Sequence, residues 1–453
     1  MKKIILLAAA LILSAPFSFG QGKIKADKDS FLKKIEKSDA EIANDKKASN
    51  PNTWLNRGKL FYDAETVITG IIFQDMPVLA ANVTLGNPSS SDEVIVNDKP
   101  YTKLGYTPYL YGYSANGVLK AWEITYFVDE NAIDKSIEAY NKAYELGGGK
   151  KAVTDKVIEG LKNNYDVLYK YANVEFELGN YSKAGDLFSK AYEVCQYPGF
   201  SDAATVDNIP ALLYDTGVAY YFGGNYNKSV EFLTMAQKAG YENEGEVYFL
   251  IYHAYKGLAP NSEREILMQA KEIVEYGMTK YPDNANIIEA MTDVYLSLGE
   301  DPQNIVPVVE KAIMNEPDNP ALWNGLGRLY DKLGELLKSA EAFEKVAELA
   351  PDNAAAHFSV GLQYLREADA VAKKINSDPS IATQDELDAA LDKTAFVLYR
   401  KGIVPLEKAH ELDPKDFATV ELLKSVTFIL RDEPGMAEKN KKYQDLYNQM
   451  RAQ

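Results

Sequence analysis

The chain has 453 residues, a quarter of them charged, with 66 acidic side chains against 49 basic ones and a formal charge of −17. Such a field repels phosphate backbones and anionic lipid headgroups, so neither nucleic acid nor a membrane surface is an expected partner. The one cysteine, Cys195, cannot form an internal disulfide and reads as a small buried apolar residue, and three histidines leave little scope for common catalytic or zinc constellations.

The N-terminus carries Lys2 and Lys3, an uncharged apolar run over residues 4–17, and small residues at Ser18 and Gly20 before Gln21. This pattern predicts a secretory signal, residues 1–20, and hence export, to the periplasm foremost, with secretion or the cell surface as alternatives. Without the two signal lysines the charge becomes −19. No cysteine stands at the cleavage site, which argues against lipid anchoring, and no later window is long and apolar enough to span a membrane.

Residues 21–50 read as an N-terminal helical segment, followed by a helix pair over 51–146. Its first helix carries Trp54, Gly58 and Phe61, and its second Ser136, Tyr140 and Ala143, with an insertion over 65–131 between them. Turn signals crowd the insertion: Gly86-Asn87-Pro88, Asn97-Asp98, Lys99-Pro100 and Asn116-Gly117. Short strands are predicted over 93–96 and 121–128, giving a small irregular lid or hairpin. The insertion also holds Tyr101, Tyr106, Tyr109, Tyr111, Tyr113, Trp122 and Tyr126. Such rings either contact a ligand or pack the insertion onto the helices.

An array of helix pairs then runs over 150–414. Leu168, Ala172, Leu178-Gly179, Ala184, Phe188 and Ala191 mark one pair; Leu213, Gly217, Tyr220, Ser229, Leu233 and Ala236 mark the next. Tyr248, Tyr255, Ala270, Val274 and Gly277 follow, then Ile288, Tyr295, Val309 and Ala312, then Trp323, Leu326, Gly327, Tyr330, Ser339, Phe343 and Val346. A late, lengthened pair holds His357, Gly361, Tyr364, Leu406 and Ala409, with Gly402 and Pro405 predicting a kink or break. Residues 415–453 read as capping helices, the last of them lysine-rich. Large residues at i, i+3 and i+7 form each buried stripe, while small ones such as Gly327 and Ser339 let crossing axes approach.

Gly327 and Gly361 lie 34 residues apart, as do Tyr330 and Tyr364, and Pro317 and Pro351. With Trp323, Leu326, Gly327, Tyr330, Leu333-Gly334, Ser339, Phe343 and Pro351 at its signature offsets, this region resembles the tetratricopeptide repeat (TPR). Only Val346 departs, where that family favours alanine. The resemblance implies an all-α, right-handed solenoid of antiparallel helix pairs and a non-catalytic scaffold that binds a protein or peptide in a concave groove lined by first helices. Carried onto this chain, groove positions include Leu55, Lys59 and Tyr62; Tyr169, Asn173 and Phe176; Tyr214 and Tyr221; Phe249, His253 and Lys256; Glu289 and Asp293; and Arg328 and Asp331.

With the insertion rings Tyr109, Tyr111, Tyr113 and Trp122, the aromatic groove positions, Asn173 and Arg328 form the expected contact set. Tyr169, where the chaperone-tail clamp of the family has lysine ahead of the asparagine, argues against that ligand. Glycan-capture proteins of starch-utilisation type also set aromatic loops on a TPR-like scaffold, so glycan binding by the insertion is the alternative. His357 reads as a packing substitute for tryptophan, His253 as an exposed side chain, His410 as a dipole partner for a helix C-terminus, and Glu289 with Asp293 as a solvated acidic face. No Gly-rich phosphate loop, nucleophile elbow or paired-cysteine motif occurs, so no catalysis, cofactor or metal is expected.

Overall fold

The computed structural model describes residues 21–201, 208–259 and 263–451; the expected signal peptide, residues 1–20, lies outside them. The chain forms two compact units that meet in sequence at Tyr241 and Glu242. Each unit is a stack of antiparallel helix pairs of the TPR type.

The first unit opens with α1 (Gln21–Ile42) and α2 (Pro51–Glu65), whose N-terminus is capped by the Asn50 side chain and by proline in the first turn. Across the insertion, α2 pairs with α4 (Ala132–Gly147) as the small residues require. The buried Ser136 hydroxyl donates to the Gly58 carbonyl at 2.8 Å and accepts from the Asn164 amide at 3.0 Å. Two further pairs follow: α5 (Lys151–Glu177) with α6 (Tyr181–Cys195), and α7 (Ile209–Phe222) with α8 (Tyr226–Lys238). Ser229 donates to the Gly217 carbonyl at 2.9 Å, which repeats the crossing seen at Gly58 and Ser136.

The insertion is partly β, as expected, and its strands form one sheet. After β1 (Met76–Pro77) and α3 (Val78–Leu85), strands β2 (Ser90–Val96), β3 (Lys99–Thr107), β4 (Leu110–Ala115) and β5 (Val118–Ile124) form an antiparallel sheet ordered β1-β5-β4-β3-β2. The strand expected over 93–96 starts earlier, at Ser90, and that expected over 121–128 is displaced to Val118–Ile124. Tight turns at Asn97-Asp98 and Asn116-Gly117, all with φ between 52° and 78°, set the register of the two hairpins they close. Ile68, Ile72, Met76, Leu104, Tyr106, Leu110, Leu119 and Trp122 make a core of the insertion's own, which reaches Val174 of α5.

The second unit stacks α9 (Glu246–Leu258) with α10 (Arg264–Lys280), α11 (Ala285–Leu298) with α12 (Val306–Asn315), and α13 (Pro320–Leu333) with α14 (Leu336–Leu349). Ser339 donates to the Gly327 carbonyl at 2.8 Å, and a Cβ on Gly327 would meet the Phe343 ring at 2.9 Å, so the close crossing excludes any larger residue. The late pair is α15 (Ala354–Asn376) and α17 (Ala395–Leu412), but its extra length includes a third helix, α16 (Gln384–Lys393), opened by a capping box of Thr383 and Glu386. The break expected at Gly402 and Pro405 is absent, since α17 runs through both. Gly402 is small for another reason: a Cβ there would lie 2.2 Å from Leu365 on the facing helix. Helices α18 (Phe417–Ile429) and α19 (Met436–Arg451) close the unit, with Tyr443 as the buried anchor of α19.

Candidate functional site

In the second unit the charged first-helix positions are engaged with one another. Asp293 on α11 is 9% exposed and accepts hydrogen bonds from Tyr252 and Lys256 on α9 and from Arg328 on α13, the last at 2.8 Å. Burial opposes its ionisation, yet the hydrogen bonds from Lys256, Tyr252 and Arg328 outweigh that and hold the carboxyl at about 2. The pair Glu289 and Asp293 is therefore not the expected solvated acidic face. Arg328 serves Asp293 and is not a free contact residue. Asp331 is bound in the same way by Arg366 of α15. His253 is half-buried against Phe249, with ring centres 4.3 Å apart, rather than exposed, and burial, with Lys256 nearby, lowers its pKa.

His410 also departs from its expected role. Burial and Lys442 lower its pKa, which disfavours the charged form that a dipole partner needs, and its buried Nδ1 has no hydrogen-bond partner among the described residues. His357 keeps the packing role. Its Nε2 lies 3.0 Å from the Pro351 carbonyl, as Trp54 Nε1 lies 2.8 Å from Ala48 O and Trp323 Nε1 2.8 Å from Pro317 O. At all three sites a ring nitrogen ties a first helix to the carbonyl six residues earlier.

In the first unit Leu55, a groove position by resemblance, is 6% exposed and belongs to the core. Tyr62 is half-buried beside Asp63 and Asp166, with burial first among the causes that raise its pKa. The Tyr169 hydroxyl donates to Asp215 at 2.9 Å, its ring packs on Tyr165 and Phe188, and burial pushes its pKa up to about 12. Asn173 donates to the Tyr169 carbonyl of its own helix. Tyr214 stacks on Tyr241 at 4.4 Å. These side chains are committed to the fold more than the resemblance implied.

Phe176 and Tyr221 differ. They join Tyr181, Phe222 and Tyr226 in a strip along the turns that end α5 and α7, with centroids 5.0 Å apart for Phe176–Tyr181, 5.3 Å for Tyr181–Phe222 and 5.4 Å for Tyr221–Phe222. Phe222 is 54% exposed. The tip of the β2–β3 hairpin reaches this strip, where the Asn97 amide donates to the Tyr181 hydroxyl at 2.7 Å. Of the residues that the resemblance did not mark, Tyr181 and Tyr226 had a signal, since Gly179-Asn180-Tyr181 recurs as Gly224-Asn225-Tyr226, and Phe222 had none.

The insertion rings divide in two. Tyr113 is 8% and Trp122 4% exposed, within the insertion core with Tyr101 and Tyr106, and both also border a cleft inside the first unit. Tyr109 packs on Tyr126 at 4.7 Å, and the ammonium of Lys103 lies 4.6 Å from the Tyr111 ring, both rings remaining partly exposed. The insertion is held on α5 by Tyr101 hydroxyl to Glu177 at 2.5 Å, Thr69 Oγ1 to Tyr171 hydroxyl at 2.6 Å, and Lys170 to the Thr69 carbonyl at 2.9 Å.

That docking leaves a cleft of about 540 Å³ inside the first unit, between the insertion and the ends of α2, α4, α5 and α6. Ile124, Val128, Ile133, Leu168, Leu178 and Leu187 supply apolar wall. Five carboxylates line it (Glu65, Glu123, Glu130, Asp134 and Glu175) against two lysines, Lys183 and Lys190. Both lysines are already paired, with Glu175 and Asp134, each at 2.6 Å. Burial raises the pKa of Glu65, an effect partly offset by its hydrogen bond from Tyr171. No group of three or more metal-ligating side chains occurs among the described residues, and no described helix is long and apolar enough to cross a membrane.

Residues 320–353, which form α13 and α14, match the family profile of the tetratricopeptide repeat. No curated protein matches the chain. Similar solved structures include TTC0263, a thermophilic TPR protein of Thermus thermophilus, at 21% identity and TM-score 0.32, covering 44% of this chain and 99% of that one. MamA of Desulfovibrio magneticus RS-1 is 19% identical, with 46% and 96% of the two chains covered and TM-score 0.32. A monomeric IFIT1 mutant solved with Gppp-AAAA is 15% identical over 69% of this chain and 68% of that one, at TM-score 0.38. At such identities and scores these likenesses are no guide to a ligand.

Proposed function

We propose that the chain is an exported, non-catalytic scaffold that binds a protein or peptide, and that it does so through its N-terminal unit. The observation that carries this is the aromatic strip Phe176, Tyr181, Tyr221, Phe222 and Tyr226, which keeps a large apolar ring 54% exposed at Phe222. Water gains nothing from contact with such rings, whereas Tyr and Phe offer large rigid contact area at little entropic loss. A TPR-type stack is commonly a protein-binding scaffold. The charged positions of the second unit support the same assignment by elimination, because Asp293, Lys256 and Arg328 satisfy one another.

The glycan alternative is weaker on this chain, since Trp122 and Tyr113, though they border the cleft in the first unit, are only 4% and 8% exposed and lack the open ring face of a sugar platform. The test is affinity capture from a cell-envelope extract with the chain from Gln21 onward, beside a glycan array. Capture of a protein with a blank array is expected; glycan binding without protein capture would reverse the assignment. Export has its own check. The N-terminus of the protein recovered from its natural compartment should be Gln21, and recovery with Met1 intact from the cytoplasm would contradict it.

A further inference from the structure

We propose that the cleft between the insertion and α2, α4, α5 and α6 receives a peptide segment in which lysine or arginine is flanked by apolar residues, an assignment that rests on the protein-binding reading above. The volume, about 540 Å³, suits a few side chains, within the usual range of roughly 300–1,000 Å³ for ligand pockets. Its wall of Ile133, Leu168, Leu178 and Leu187 is apolar, and the partly exposed Phe127 lies among its lining residues.

Charge selects among ligands. Lys183 and Lys190 are spent on Glu175 and Asp134, and Glu123 holds Lys103 at 3.2 Å and the Tyr113 hydroxyl at 3.0 Å. Glu130 makes no ion pair among the described residues and is exposed, and Glu65 lines the cleft beside the Tyr171 hydroxyl, with the carboxylates of Asp134 and Asp129 close enough to act on it. A cationic side chain entering here meets uncompensated carboxylates; a phosphate or an acidic peptide meets repulsion.

The test is selection from a random-peptide phage library on the immobilised chain from Gln21 onward, then fluorescence anisotropy of the selected peptide with Phe127→Ala, Glu130→Lys and Phe222→Ala. Both cleft substitutions lie on exposed side chains, Phe127 being 44% exposed, so folding is spared. Enriched peptides should carry lysine or arginine between apolar residues. Their affinity should fall about tenfold or more in Phe127→Ala and Glu130→Lys and stay unchanged in Met314→Ala, an exposed position of the second unit run alongside as the control. Enrichment of acidic or uncharged peptides, or affinity indifferent to both cleft substitutions, overturns the proposal. So does failure to enrich any peptide. Loss confined to Phe222→Ala overturns the cleft assignment while leaving protein binding through the aromatic strip intact, and that broader reading falls only if no protein is captured.

Discussion

Replacing Asp293 by alanine should destabilise the second unit by about 1–5 kcal/mol, a sum that follows from what each partner loses. Tyr252 is 2% exposed, and its hydroxyl would be left buried without an acceptor, about 1–3 kcal/mol. Lys256 and Arg328 have side chains 51% and 41% exposed, so water replaces most of their lost pairing and each contributes only about 0–1 kcal/mol. Asp293→Asn keeps an acceptor for Tyr252 while removing the charge, and should fall about midway.

Acid titration gives an independent reading of the same site. The carboxyl sits at about 2 in the folded chain against 3.8 as the ordinary value. A depressed folded pKa means that the ion's stabilisation is complete above about pH 4 and is lost as pH falls toward 2, at most about 2 kcal/mol. Glu289 acts in the opposite sense. Burial, with Asp293 beside it, raises its pKa, so acid relieves a strain there, and only the difference between wild type and Asp293→Asn isolates Asp293. The assay is urea unfolding followed by far-ultraviolet circular dichroism at several pH values. If Asp293→Ala unfolds within about 0.5 kcal/mol of wild type at pH 7, the residue is a free groove side chain and the reasoning fails.

Gly327→Leu should destabilise by about 1–3 kcal/mol or more, because even a Cβ there meets Phe343 at 2.9 Å; an unchanged melting temperature would contradict the crossing. Replacing residues 66–130 by a short Gly/Ser linker should leave cooperative helical melting in place, since Gly58 and Ser136 still close the first pair. The transition should move to lower temperature, because Val174, Leu178 and Tyr171 lose their cover. Loss of cooperativity would show that the insertion is part of the fold's foundation.

The helix pairs were legible because close crossings demand small residues at fixed positions, and Gly58 with Ser136, Gly217 with Ser229 and Gly327 with Ser339 meet that demand. The sheet was not. Much of β3 and β4 is covered on both faces, so buried residues such as Leu104, Gly105, Tyr106 and Thr107 run consecutively and the alternation that marks a strand is lost. Its turns at Asn97-Asp98 and Asn116-Gly117 were nevertheless plain in the residues.

The site was read less well. A groove position takes its meaning from neighbours about one repeat away. Arg328 and Asp293 are 35 residues apart, as are Arg366 and Asp331, and such opposite charges at repeat spacing are a sequence signal of satisfied pairs. The aromatic count in the insertion likewise said nothing of which rings face inward, and Trp122 and Tyr113 proved to be core.

Binding through the first unit is tested most directly by comparing capture of the envelope partner by wild type, by Tyr221→Ala with Phe222→Ala, and by Arg328→Ala, each with its melting temperature. Loss of about 1–2 kcal/mol of affinity per aromatic truncated, with melting little changed and with Arg328→Ala binding normally, is the expected result. Normal binding by the aromatic double variant together with failure of Arg328→Ala would contradict it and move recognition to the second unit.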